Sequence, residues 1–296
     1  MFEPTQLLLQ LQQQTPVTAY CIYLFFGLSI GSFVNVVVHR LPIMLKQEWQ
    51  DEARLLLDVH VPGKQEPKPY NLVTPRSTCP ACGQPISAIH NIPVISYLLL
   101  KGRCASCQAR IALRYPLLEL VTGIATVTVM SVLGPTMQGM LACLLTYSLI
   151  ALSQIDFETK LLPDDITLPI LWLGLIANVY DTFTDLQSAV IGAVLGYLAL
   201  WIVYQGFRII TGKEGMGFGD FKLLALLGAW LGWQALPFII LMSSVIGTLV
   251  GVTLILLGRD RNDAIPFGPY LAAAGWINLL WGDILLSRYL QVLNLS

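Results

Sequence analysis

Charge is what this chain has least of. Only 12% of its 296 residues are Asp, Glu, Lys or Arg, 55% are hydrophobic, and mean hydropathy is +0.67. A soluble domain carries roughly 25% charged residues, so the composition reads as a polytopic integral membrane protein in contact with lipid. Histidine is scarce too: His39, His60 and His90 form no H-E-x-x-H pattern, which excludes that class of zinc protease. Residues 2–14, "FEPTQLLLQLQQQ", contain no Lys or Arg. With no basic segment before the first apolar run and no small-x-small site after it, that run reads as a retained helix, not a cleaved signal, and 2–14 as an interfacial segment. Nothing is basic and aromatic enough to suggest a nucleic-acid partner.

What the chain has in abundance is apolar runs. A crossing takes about 20 mostly apolar residues, and candidates fall at 17–38, 115–134, 138–155, 166–181, 187–209, 222–234, 235–257 and 267–289. Placing the loop 39–114 in the cytoplasm puts 16 of the 17 Lys and Arg residues on that side, with Arg288 outside. Both termini then face outward by the positive-inside rule. One crossing more or fewer would misplace Arg208, Lys213, Arg259 and Arg261. The expected fold is an all-α integral membrane protein of about eight transmembrane helices. It divides into an N-terminal segment and first helix (1–38), a small cytoplasmic domain (39–114) and a seven-helix membrane domain (115–296).

The loop domain is too small to depend on a hydrophobic core alone. It contains "CPACGQPI" and "CASCQAR", two C-x2-C pairs formed by Cys79, Cys82, Cys104 and Cys107. Such pairs on tight turns suit one tetrahedral zinc ion, and four thiolates leave no position for a catalytic water, so the site is structural. The competing reading, two redox or disulfide pairs, is disfavoured in a reducing cytoplasm. Cys21 and Cys143 lie in separate spans and read as ordinary buried cysteines.

Ionisable residues in or beside spans are functional candidates by default. Asp156, in "SQIDFETKLLPDD", and Asp220, in "GMGFGDFKLL", fall at cytoplasmic ends of predicted spans. Two adjacent carboxylates can share one proton, so that one activates water as general base while the other polarises a carbonyl. That chemistry hydrolyses a peptide without a covalent intermediate. For Asp220 the alternative is a helix N-cap; for Asp156 it is an ion pair with Lys160 one turn on. Gly215, Gly217 and Gly219 permit unusual backbone angles and close approach, leaving room for an extended substrate beside Asp220. The apolar run after Asp220 extends only to about Trp233, roughly 20 Å, which places this aspartate at some depth.

Asp164 and Asp165 follow Pro163 at a span start, where carboxylates cap a helix. Glu119, just beyond Arg114 and Tyr115, reads either as a local ion pair or interfacial residue or as part of a binding surface. Gly31, Asn35 and His39 recur every fourth residue as a small, polar stripe suited to helix packing, with substrate contact as the alternative.

Taken together, "GSFVNVVVHRLP", the paired C-x2-C loop, "RYPLLELVTG", "IDFETKLLPD" and "GMGFGDFKLL" closely resemble the type IV prepilin peptidases of the GxGD aspartyl protease group, in the same order over residues 20 to 290. The resemblance implies that Asp156 and Asp220 are the catalytic pair. It implies a bifunctional enzyme of the bacterial inner membrane with its active site facing the cytoplasm. Such an enzyme removes the basic leader of type IV prepilins and type II secretion pseudopilins, then methylates the new amino terminus with S-adenosylmethionine. It associates methylation with the loop "KGRC", hence Gly102 and Arg103, and leaves Glu119, for the basic leader or the methyl acceptor, and Asp164 and Asp165 as secondary candidates. A proton-coupled transporter is the competing class, but it predicts an internal repeat of spans that the two halves do not show. A zinc-bearing assembly scaffold is a third, and predicts dispensable aspartates.

Overall fold

A computed structural model describes residues 4–57, 70–87, 89–258, 260 and 265–292. His60, Arg259 and Arg261 lie outside the described residues. Ten α-helices account for most of the chain: α1 Pro4–Gln14, α2 Pro16–Leu56, α3 Ile95–Leu99, α4 Arg114–Leu133, α5 Met137–Thr159, α6 Asp164–Asn178, α7 Leu186–Thr211, α8 Phe218–Leu231, α9 Leu236–Leu256 and α10 Gly268–Val292. Among the described residues there is no β-strand, only the isolated bridges Thr78 to Pro85 and Arg103 to Arg110.

Every predicted span coincides with a helix. Among the described residues, however, five stretches and not eight are long and apolar enough to cross a membrane: Pro16–Leu56, Arg114–Leu133, Met137–Thr159, Leu186–Thr211 and Trp233–Leu256. At 15 and 14 residues, α6 and α8 reach only about 21–23 Å, short of a hydrocarbon core of about 30 Å. In α8 the shortness has a physical correlate. Phe221, Leu223, Leu224, Leu226, Leu227, Ala229 and Trp230 are all completely buried, and a helix apolar on every side belongs inside a bundle.

The chain forms two compact units, Met1–Ser131 and Val132–Ser296. In the first, α2 continues well past the expected boundary at 38, because "LPIMLKQEWQDEARLL" is rich in strong helix formers. Its 41 residues extend about 60 Å. Helix α4 packs against it where small residues permit contact: a Cβ on Gly31 would lie 2.7 Å from the Glu119 Cα, and one on Gly27 would be 2.9 Å from the Gly123 Cα. Asn35 Nδ2 donates to the Tyr115 carbonyl at 3.1 Å. The stripe therefore packs helices at Gly31 and Asn35, while His39 is exposed.

The second unit is built around α8. Gly192 and Gly228 bring the backbones of α7 and α8 into contact. A Cβ on Gly196 would come 2.6 Å from the Leu224 carbonyl oxygen. Trp230 Nε1 donates to the Ile170 carbonyl at 2.8 Å. The buried Asn178 side chain donates to the Ala229 and Trp230 carbonyls and accepts from the amides of Phe183 and Thr184. These bonds satisfy polar groups that water cannot reach and tie α6 to the end of α8.

Candidate functional site

The two aspartates arrive from opposite helix polarities. Asp156 sits in the last turn of α5, 5% exposed. The helix ends because Lys160 adopts a left-handed conformation (φ 58°, ψ 31°) and returns its N–H to the Asp156 carbonyl at 2.9 Å. Asp156 Oδ2 accepts the backbone N–H of Gly268, the first residue of α10, at 3.0 Å. Asp220 lies in the first turn of α8, 7% exposed, and its N–H donates to the Gly217 carbonyl at 3.3 Å. Leu162 reaches both sites: its side chain lies 2.7 Å from where a Cβ on Gly219, beside Asp220, would stand and 3.3 Å from the corresponding point on Gly268, which holds Asp156.

Two alternatives fall away. Gly217 is the N-cap of α8, so Asp220 occupies the third helical position and makes no side-chain cap. Likewise Pro163 is the N-cap of α6. Asp164 and Asp165 are exposed first-turn residues that complement the helix dipole without capping it. The Asp164 carboxylate accepts both its hydrogen bonds from Lys222 Nζ, at 2.6 and 2.8 Å. Asp164 thereby ties the first residue of α6 to Lys222, the fifth residue of α8.

Gly215 and Gly219 permit close approach, and none of the glycines beside Asp220 serves an unusual backbone angle. None of the three has positive φ. A Cβ on Gly215 would meet the Phe207 ring at 2.7 Å, and one on Gly219 would meet Leu162 Cβ at 2.7 Å. At Gly217 the nearest atom would be Asp220 Oδ2 at 3.9 Å. That position is extended (φ −77°, ψ 146°) and open beside the carboxylate.

In the first unit, the Sγ atoms of Cys79, Cys82, Cys104 and Cys107 all lie within 4.8 Å of one another, with Cys79 and Cys107 at 3.9 Å. A tetrahedral zinc with bonds of about 2.3 Å separates its sulfurs by about 3.8 Å, so the four residues fit one such ion. The two halves are built alike. Gly83 N–H donates to the Cys79 carbonyl and Cys79 N–H to the Gln84 carbonyl; Gln108 N–H donates to the Cys104 carbonyl and Cys104 N–H to the Ala109 carbonyl. Gly83 (φ 70°) and Gln108 (φ 60°) both take the left-handed turn, so the second turn forms without the glycine of the first. Backbone N–H groups of Cys107 and Ser106 push the Cys104 thiol down to about 6, whereas Cys107, despite the Ala109 N–H, is pushed up to about 11 by burial and the neighbouring thiols.

Gly102 and Arg103 precede this second turn. Gly102 has φ 70°, and a Cβ there would come 2.7 Å from Tyr97 Oη. Both residues line an open cleft of about 570 Å³ with Tyr97, Lys101, Arg110 and the stretch 111–113. Glu119 is not paired with Arg114. Its Oε2 accepts the Val94 N–H at 2.8 Å, and Arg114 lies over the Tyr115 ring at 4.8 Å. Val94 (φ 58°) immediately precedes α3, so Glu119 anchors the loop domain to α4 within this unit.

Two residues beside the aspartates, Gly268 and Leu162, and one that holds the loop domain, Arg40, are not singled out by the motif reading. Gly268 lies in "IPFGPY", where a glycine before a helix-starting proline hints at a close approach. Leu162 is an ordinary loop leucine by type. Arg40, only 7% exposed, sends Nη1 to the Asn71 carbonyl at 2.8 Å and Nη2 to the Pro75 carbonyl at 2.6 Å.

Residues 25–133 match the bacterial peptidase A24 N-terminal domain, and 143–252 match the type IV leader peptidase family. A prepilin leader peptidase/N-methyltransferase of Aeromonas hydrophila is 54% identical over 285 residues, covering 96% of this chain and 98% of its own length. The protein of the same name from Aeromonas salmonicida strain A449 is 52% identical over 288 residues, 97% of this chain and 99% of that one. That of Pseudomonas aeruginosa is 52% identical over 277 residues, covering 93% and 95%. No solved structure matches the chain.

Proposed function

This chain belongs to the type IV leader peptidase family, and from that premise we propose that Asp156 and Asp220 are the aspartyl pair of a prepilin leader peptidase/N-methyltransferase. The supporting observation is the convergence of two buried carboxylates at the end of α5 and the start of α8, one held by the Gly268 amide and the other beside the open backbone at Gly217. One carboxylate takes a proton from water as the water attacks the scissile carbonyl. The other donates its proton to the carbonyl oxygen, giving a gem-diol; on collapse the first carboxyl passes the proton it took to the leaving nitrogen as the C–N bond breaks, and a gem-diol hydroxyl returns a proton to the second, so both recover their starting forms. The extended, unencumbered Gly217 gives substrate backbone a place to lie. Substrates are type IV prepilins and pseudopilins, whose apolar helix contacts the spans within the bilayer.

Eight crossings, with the catalytic pair facing the cytoplasm of a bacterial inner membrane, agree with the distribution of Lys and Arg. The cysteine cluster holds one structural zinc. The enzyme methylates the new amino terminus with S-adenosylmethionine as methyl donor, and the turn at Gly102 and Arg103 serves that activity through its shape. A transporter would place its carboxylates at broken mid-membrane helices; both aspartates here lie in terminal turns.

The test is the intact mass of a prepilin incubated with wild type, Asp156→Asn and Asp220→Asn in liposomes containing S-adenosylmethionine. Loss of the leader and gain of one methyl group in wild type only is expected. Cleavage by either variant at the wild-type rate removes that aspartate from the mechanism.

A further inference from the structure

Between the two aspartate-bearing elements stands one side chain that is not itself polar. Leu162 lies in the turn from α5 to α6, after the left-handed Lys160 that ends α5 and before Pro163, the N-cap of α6. Its Cβ is 2.7 Å from where Gly219 would carry a Cβ, and Gly219 adjoins Asp220. Its Cδ1 is 3.3 Å from the corresponding point on Gly268, whose N–H holds Asp156. One leucine thus occupies the space vacated by two glycines, each one bond network removed from a different aspartate. Real Cβ atoms do not approach a neighbour within 3.0 Å, so a side chain at 219 and the Leu162 Cβ exclude each other.

We propose that Leu162 is a positioning residue that sets the separation of Asp156 and Asp220 by packing into the backbone surfaces of Gly219 and Gly268. This rests on the proteolytic reading above. The turn is well placed for the task because both its ends are tied: Lys160 N–H to the Asp156 carbonyl, and Asp164 to Lys222. Misplacement of a reacting group by about 1 Å costs on the order of a hundredfold in rate. Loss of the Leu162 side chain beyond Cβ should therefore appear in turnover, while substrate affinity, which the long pilin helix supplies, stays.

The experiment measures prepilin cleavage by Leu162→Ala, Leu162→Met, Leu162→Gly, Gly219→Ala and the paired Leu162→Gly with Gly219→Ala. Methylation of an already cleaved pilin, measured on the same preparations, reports the fold. The expected result for Leu162→Ala is a kcat lower by about tenfold or more with KM within about twofold of wild type, and undiminished methylation. Leu162→Met, similar in volume, recovers most of the rate. Gly219→Ala is nearly inactive, and the paired variant cleaves at least about tenfold faster than Gly219→Ala alone, since the two changes share one space. Wild-type kinetics for Leu162→Ala, or a paired variant equal to the product of its singles, overturns the proposal. Equal loss of cleavage and methylation in Leu162→Ala overturns it too, since that assigns the leucine to general folding. Activity in Asp156→Asn or Asp220→Asn instead refutes the underlying proteolytic reading, so the two failures are distinguishable.

Discussion

The backbone amide of Gly268 donates to Oδ2 of Asp156 at 3.0 Å, linking positions 112 residues apart. The approach requires a glycine: a Cβ at 268 would stand 2.7 Å from that same oxygen. Gly268→Ala is therefore expected to cut prepilin cleavage by about a hundredfold while the protein still inserts and purifies. Cleavage kinetics measured beside the Asp156→Asn variant check this; a rate near wild type would mean that the bond is dispensable for holding Asp156.

Asp164 supplies a contrast. Its ion pair with Lys222 is short, but the side chains are 50% and 32% exposed, and exposed pairs contribute at most about 1 kcal/mol. Asp164→Asn should keep cleavage within about threefold of wild type, with a small loss of thermal stability that shrinks further in high salt. A loss as deep as that of Asp156→Asn would instead give Asp164 a part in the chemistry.

The four cysteines make a prediction about metal. The purified protein should contain one zinc per chain by elemental analysis, and Cys82→Ser should lose most of it, since a tetrahedral thiolate site loses a quarter of its ligands. Retention of stoichiometric zinc in that variant would place the ion elsewhere.

At Glu119 the bond to the Val94 amide can be tested by chemistry at constant size. Glu119→Gln keeps an acceptor for that N–H, whereas Glu119→Ala leaves it unpaired at a cost of about 1–3 kcal/mol. Hydrogen exchange at residues 94–99 should stay slow in the first variant and accelerate in the second. Equal exchange in both would show that the loop is held by other contacts.

Tyr204 carries, among the described residues, a buried hydroxyl with no hydrogen-bond partner. Its ring packs on Phe218 and Phe221 with centroids at 5.3 and 5.6 Å. Removing an unpaired buried polar atom relieves its desolvation cost, so Tyr204→Phe should leave thermal stability unchanged or raise it. A clear fall in melting temperature would show that the hydroxyl has a partner in the membrane.

The sequence by itself determined the class of molecule, the position of the apolar helices and the cysteine quartet, and it offered two aspartates at helix ends as candidates. Each of these depends on local composition or spacing: apolar runs must be about a helix long, and C-x2-C on a turn needs no distant partner to be recognised. What tertiary structure decided were the relations between distant segments. That α8 is a buried central helix follows from what surrounds it, since the same apolar run would read alike in lipid. Gln108 adopts the turn of Gly83 because its backbone hydrogen bonds reproduce those of the first pair. The glycines at 219 and 268 are needed for what lies against them, Leu162 and Asp156, and not for their own angles, since neither has positive φ. An amide donor and a leucine carry no chemical label in a sequence; their roles exist only once the chain brings residues 156, 162, 219 and 268 together.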